Sequence, residues 1–315
     1  LTLSRRVAQS RVELPEIAQD QYGRALLASE RYAEADIAFS RAAGNGWEGA
    51  LMRQATVAAA RSEFEKANAL LGRIDPGNFH AGNFATTIAL DQGDVEGAIK
   101  LAEQGRMLAG QRQGMDRYNF DMPLAVAYMM AGRRSKALMV ARVAATAPFA
   151  ELSGEPAVEV VDRLVAAHAA ALLALRLGDA APAKAVQARM NALQDLPDSS
   201  VLRQYVTLLA GRMMQHEGRP QAGLDLLVPL LKKQPRLQVR LAVRDLALEA
   251  GLKDVAQEQT RWLRDRPGFA YAEAQCSFCL QALNVVDVRR LMAAPAIEAA
   301  DTMASMPQRS VRGEP

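Results

Sequence analysis

Short phrases recur along this 315-residue chain, and the recurrence limits what it can fold into more than any other feature. Arg31-Tyr32-Ala33-Glu34-Ala35 is followed by Glu63-Phe64-Glu65-Lys66-Ala67 and by Gly93-Asp94-Val95-Glu96-Gly97-Ala98. Looser copies run from Gly132 to Ala137, Gly178 to Ala183, Gly218 to Gly223 and Gly251 to Ala256. Each sets a turn residue or a charge, then often an apolar residue, then a small residue that opens an amphipathic helix. The closing small residues, Ala35, Ala67, Ala98, Ala137, Ala183, Gly223 and Ala256, lie 32, 31, 39, 46, 40 and 33 residues apart. Spacings of this size, the longer ones implying extended helices or inserted loops, mark a stacked array in which each unit buries its apolar face only against its neighbours. Aromatic residues make up 5% of the chain against 50% hydrophobic residues overall, so a sandwich or barrel is disfavoured and helices meeting over small side chains are expected.

The first unit supplies Gly23 at the small position where two helices touch, with Tyr32, Ala35, Phe39 and Ala42 on the second helix. The second unit supplies Ala55, Phe64, Ala67, Leu71 and Ile74. The fourth supplies Ala125, Tyr128, Ala137, Ala141, Ala144 and Pro148, and the sixth Gly211, Leu227, Leu230 and Pro235. Over residues 15–267 this pattern resembles the tetratricopeptide repeat family, although the consensus Trp is absent from every unit. The resemblance implies an all-α fold, a right-handed α-solenoid of about seven helical hairpins whose first helices line a concave groove. It also implies a protein–protein interaction scaffold or adaptor that binds a peptide segment or protein partner.

The expected organisation is an N-terminal subarray over 1–147, a linker or inserted loop over 148–157, a C-terminal subarray over 158–268, and a capping helix with a flexible tail over 269–315. The cap is placed at Phe278–Met292, covering the last apolar face. Phe269, Tyr271, Phe278 and Leu280 would otherwise leave an apolar end suited to self-association through terminal repeats. The register points Arg24, Asn83, Thr87, Met122, Met130, His168, Tyr205, Arg212 and His216 into the groove as partner-binding candidates. Asp20, Asp91, Asn119, Arg176 and Asp245 fall on the same faces. Methionine at helical spacing reads first as core filling and second as an adaptable apolar surface.

Other chemistry is weakly signalled. The net charge is only +3 and the basic residues come in pairs such as Arg133-Arg134 and Arg289-Arg290, which read as solvated helix faces without direct nucleic-acid binding. Cys276 and Cys279 form one CxxC, too few ligands for a structural zinc. They read as packing thiols, ahead of an occasional disulfide, a metal shared with another chain, or redox work. No GxSxG elbow, phosphate loop or dinucleotide fingerprint occurs, so no enzyme, cofactor or metal site is expected. Leu164–Leu177 is too short to span a bilayer and contains His168 and Arg176, so membrane insertion is not expected. The chain begins with Leu1, which suggests a processed or excised piece. Its expected compartment is the cytoplasm, or the periplasm if a signal sequence was removed. A second reading makes it the ligand- or peptide-sensing half of a larger regulatory protein.

Overall fold

The computed structural model describes residues 16–43, 48–75, 77–110, 116–146, 157–192, 201–232, 235–273 and 277–294. Residues 148–156 of the expected linker, the cysteine pair's side chains, Phe278's side chain and the C-terminal tail from 295 fall outside them, while Ala157 already belongs to a helix. Among the described residues there are sixteen α-helices, one 3-10 turn and no strand. The helices are α1 (Glu16–Leu27), α2 (Tyr32–Ala43), α3 (Glu48–Ala60), α4 (Phe64–Leu71), α5 (Phe79–Gln92), α6 (Val95–Gly110), α7 (Asp116–Met130) and α8 (Arg134–Thr146). They continue with α9 (Ala157–Arg176), α10 (Ala181–Ala192), α11 (Val201–His216), α12 (Pro220–Leu227), α13 (Leu237–Glu249), α14 (Lys253–Arg264), α15 (Phe269–Ala272) and α16 (Ser277–Ala293). No helix among the described residues is long and apolar enough to cross a membrane.

The recurring phrases become one recurring turn. Glu30, Ser62, Gly93, Gly132, Gly178, Gly218 and Gly251 each take the left-handed conformation, with φ between 59° and 84°. In each case the next residue's amide donates back five residues, from Arg31 to Leu26, Glu63 to Ala58, Asp94 to Ala89, Arg133 to Tyr128, Asp179 to Ala174, Arg219 to Met214 and Leu252 to Ala247, at 2.7–2.9 Å. This closure satisfies carbonyls that a helix end leaves without partners. Glycine suits the turn because a side chain there costs roughly 1 kcal/mol. Glu30 and Ser62 are the two copies that bear that cost.

Small residues set the close approaches. A Cβ added at Gly23 would run into the Phe39 ring, and one at Gly211 would lie 2.8 Å from the Leu227 side chain. Both are the positions expected to be small. Successive helices pack on each other along the chain, and the alternate helices α1, α3, α5, α7, α9, α11 and α13 form a second, continuous line of contacts. Helices α8 and α9 are in contact across the expected linker, and one apolar cluster runs from Ala89 through Ala247, so both sides share a core.

The C-terminal segment departs from expectation. Instead of capping the last hairpin, α16 packs chiefly on α7 and α5, then on α9, with a smaller contact on α14. Residues 280–286 are all buried, so α16 is covered around its whole circumference over that stretch. It lies between two apolar clusters, giving Leu280, Ala282, Leu283 and Val286 to one and Val285, Val288 and Leu291 to the other. Helix α15 reaches back to α1 and α3. The Gly268 amide donates to Glu30 Oε1 (3.0 Å), and the Tyr271 hydroxyl donates to Asp91 Oδ2 (2.8 Å). Tyr271 and Leu280 are buried within the chain, so they do not form the expected apolar end. Arg264 of α14 donates to the carbonyls of Leu291 and Ala294, which places a cation at the C-terminus of α16.

Candidate functional site

Of the alternate helices, α5, α7 and α9 are the ones that pack against α16. Three polar residues of α16, Gln281, Asn284 and Asp287, recur every three positions. Gln281 Nε2 donates to the Tyr271 carbonyl (3.0 Å), and Asn284 Nδ2 donates to Glu273 Oε2 (2.7 Å). Gln238 of α13 donates to both Asn284 Oδ1 (2.9 Å) and Asp287 Oδ2 (3.0 Å). Glu273 also accepts the Leu237 amide at 3.0 Å. Burial pushes the Glu273 carboxyl above its ordinary pKa, against the pull of Arg236 and of those two hydrogen bonds. Buried polar groups require partners of this kind, so this seam fixes how α16 sits.

The expected groove residues therefore have different fates. Asn83 and Thr87 of α5 and Met122 of α7 are fully buried, and so are His168 of α9 and Tyr205 of α11. They are not open to a partner in this arrangement. The His168 and Tyr205 rings pack together, tilted by 39° with centroids 4.8 Å apart, and burial lowers the His168 pKa to about 4, so the ring is neutral. The reason is that α9 is enclosed by α7, α8, α10, α11 and α16, with residues 163–175 all buried. Arg24 pairs with Asp20 (2.9 Å), whose other oxygen pairs with Arg53 (2.8 Å). Met130 packs against the larger apolar cluster and receives the Arg290 guanidinium on its sulfur at 3.2 Å. The side chain of Asn119 falls outside the described residues.

Arg212 and His216 are the two candidates that meet at an open site. The C-terminal parts of α9, α11, α13 and α16 line a cavity of about 780 Å³. That volume is within the range of small-molecule sites. Its apolar wall is Leu172, Leu175, Leu241, Leu248 and Leu291; its polar wall carries Arg176, Arg212, Gln215, His216, Arg244, Asp245, Glu249, Asp287 and Arg290. Arg176 grips both oxygens of Asp287, at 2.6 and 3.0 Å. Asp245 is shared, 2.9 Å from Arg212 and 2.6 Å from Arg244. Arg212 also donates to Gln215 (2.7 Å), which donates to Glu249 (2.6 Å). Burial lowers the Arg212 pKa from its usual value, with the Asp245 charge opposing and Arg176 reinforcing that shift.

Arg244, Glu249, Asp287 and Arg290 were missing from the expected groove. The basic pair Arg289-Arg290 read as a solvated face, yet Arg289 reaches Asp91 (3.4 Å) and lies over the Phe64 ring, while Arg290 lines the cavity. The signal that could have exposed α16 was its Gln-x-x-Asn-x-x-Asp stripe inside an otherwise apolar helix, which demands polar partners. Among the described residues no group of three or more His, Cys, Asp and Glu side chains is placed to hold a metal ion. No protein-family model matches the chain, and no curated protein matches it.

Proposed function

We propose that this chain is a non-enzymatic binding module: a right-handed solenoid of seven tetratricopeptide-like hairpins that holds a peptide segment or protein partner on its concave face. The seven equivalent left-handed turns and the continuous line of alternate helices support the hairpin reading. The observation that carries the binding reading is the open cavity at the ends of α9, α11 and α13, walled on its remaining side by the last residues of α16. A partner meets Arg212, His216, Arg244 and Leu248 there, in place of the full groove. A second reading, a ligand-sensing regulatory module, draws on the cavity's volume of about 780 Å³, which suits a small molecule better than a long peptide.

A photo-crosslinker at Leu248 on the rim, compared with one at Met139 on α8, tests the site. Both side chains are exposed. Partner crosslinks are expected from position 248 and not from 139; equal yields from both positions overturn the reading.

A further inference from the structure

We infer that the cavity between α9, α11, α13 and α16 takes a small organic anion, with one carboxylate or phosphate head on an apolar body of a few carbons. This rests on the reading that the cavity is the chain's binding site. Four guanidiniums line the cavity against three carboxylates. The carboxylates are already engaged. Asp287 accepts from Arg176 and Gln238, Asp245 serves two arginines at once, and Glu249 accepts from Gln215. Arg290 reaches no carboxylate among the described residues, and its guanidinium rests on the Met130 sulfur, a weak acceptor. The wall therefore carries a surplus of cationic donors that its own acids do not neutralise. Arg212 is about nine-tenths buried, so an arriving anion meets a charge already stripped of much of its water. Guanidiniums bind carboxylate and phosphate through paired N–H donors, and such contacts are among the stronger hydrogen bonds.

The opposite wall determines the rest of the ligand. Leu172, Leu175, Leu241 and Leu291 are buried there and Leu248 is exposed at the rim, so a hydrocarbon body has an apolar surface within reach of the arginines. A bare inorganic anion would leave that wall unused, and a cation would face the uncompensated guanidiniums.

The test is a titration of the full chain, with leucine methyl groups labelled for NMR, against octanoate, octyl phosphate, octanol and octylamine. Octanoate and octyl phosphate should shift the methyl signals of Leu172, Leu241 and Leu248. Octanol should bind about tenfold more weakly, and octylamine should leave the signals in place. Raising salt from about 0.05 to about 0.5 M should weaken the anions and not the alcohol. Arg290→Gln should weaken octanoate about tenfold with an unchanged melting curve, because Arg290 is exposed and its one described hydrogen bond is to sulfur. Arg244→Gln gives a second variant should the first alter the fold. Equal binding of octanol and octanoate overturns the anion inference and leaves the cavity a binding site. If no probe moves these methyls while the Leu248 crosslinker still captures a partner, the inference fails and the proposed function stands. If both experiments are silent, both readings fail.

Discussion

The same line of alternate helices is covered at α5 and α7 and open at α11 and α13, and the two regions carry different side chains. Where α5 and α7 face α16, residues 120–128 are all buried, and Asn83, Thr86 and Thr87 are sealed with them. Where α11 and α13 meet the last residues of α16 around the cavity, the corresponding face bears Arg212, His216, Arg244, Asp245 and Glu249. Burial of the first region makes it a core, intolerant of lost volume. The second region is built from charges that need water, counter-ions or a ligand. A groove position therefore has meaning only together with what lies over it.

Substitutions can break or sharpen this contrast, beginning with the largest effect. Leu283 is fully buried in α16, and Leu283→Ala should cost about 3 to 4 kcal/mol. Because α16 touches both apolar clusters, the loss should lower a single urea transition of the whole chain; a loss confined to a separate C-terminal transition would contradict the shared core. Acid should act next. Buried neutral, His168 has a folded pKa of about 4 against an ordinary value of 6.5, so the unfolded chain binds the proton more readily between those values. Its contribution is complete above pH 6.5 and is lost as pH falls toward 4, amounting to about 3 kcal/mol. Urea midpoints measured across that window should fall steeply for the wild type and less steeply for His168→Leu.

Asn284→Ala should cost about 2 kcal/mol, since it strips a partner from buried Gln238 and Glu273 at once. Chemical denaturation would register a neutral result as evidence against the polar seam. Ser62→Gly should instead raise stability by up to about 1 kcal/mol, because it relieves a left-handed residue whose side chain has little to do. Glu30→Gly should gain less or lose, since Glu30 also accepts the Gly268 amide. Smallest of all, Leu248→Ala at the open rim should move the denaturation midpoint by less than about 0.5 kcal/mol, in contrast to Leu283→Ala. A large effect at Leu248 would mean that the two regions do not differ as described.

The hairpins were legible because their signals are local. Gly93, Gly132, Gly178, Gly218 and Gly251 stand where a left-handed turn follows a helix, and Gly23 and Gly211 stand where a ring or a leucine presses on the backbone. The place of α16 was not legible, because its partners are remote along the chain: Arg176 for Asp287 and Asp91 for Arg289. Helical periodicity reports that one face is buried, never against what, and a helix buried all round has no periodicity to read. The same cause hid His168 and Tyr205. His168 sits on the enclosed helix α9, and Tyr205 of α11 packs against it, so neither reaches a surface. Arg212 and His216 lie near the C-terminal end of their helix, where the cavity keeps them from being sealed over.

The hydrogen bonds from Gly268 to Glu30 and from Tyr271 to Asp91 have a consequence for how the chain comes to be folded. Contacts spanning 238 and 180 positions give an otherwise local topology a few pairings of very high sequence separation. Stacked hairpins can form quickly as they leave the ribosome. The apolar face that α5 and α7 reserve for α16 stays bare until nearly the last described helix has been synthesised. During that interval the nascent chain is sticky where the finished one is sealed. Synthesis that stalls before residue 277 should expose it to chaperones or aggregation.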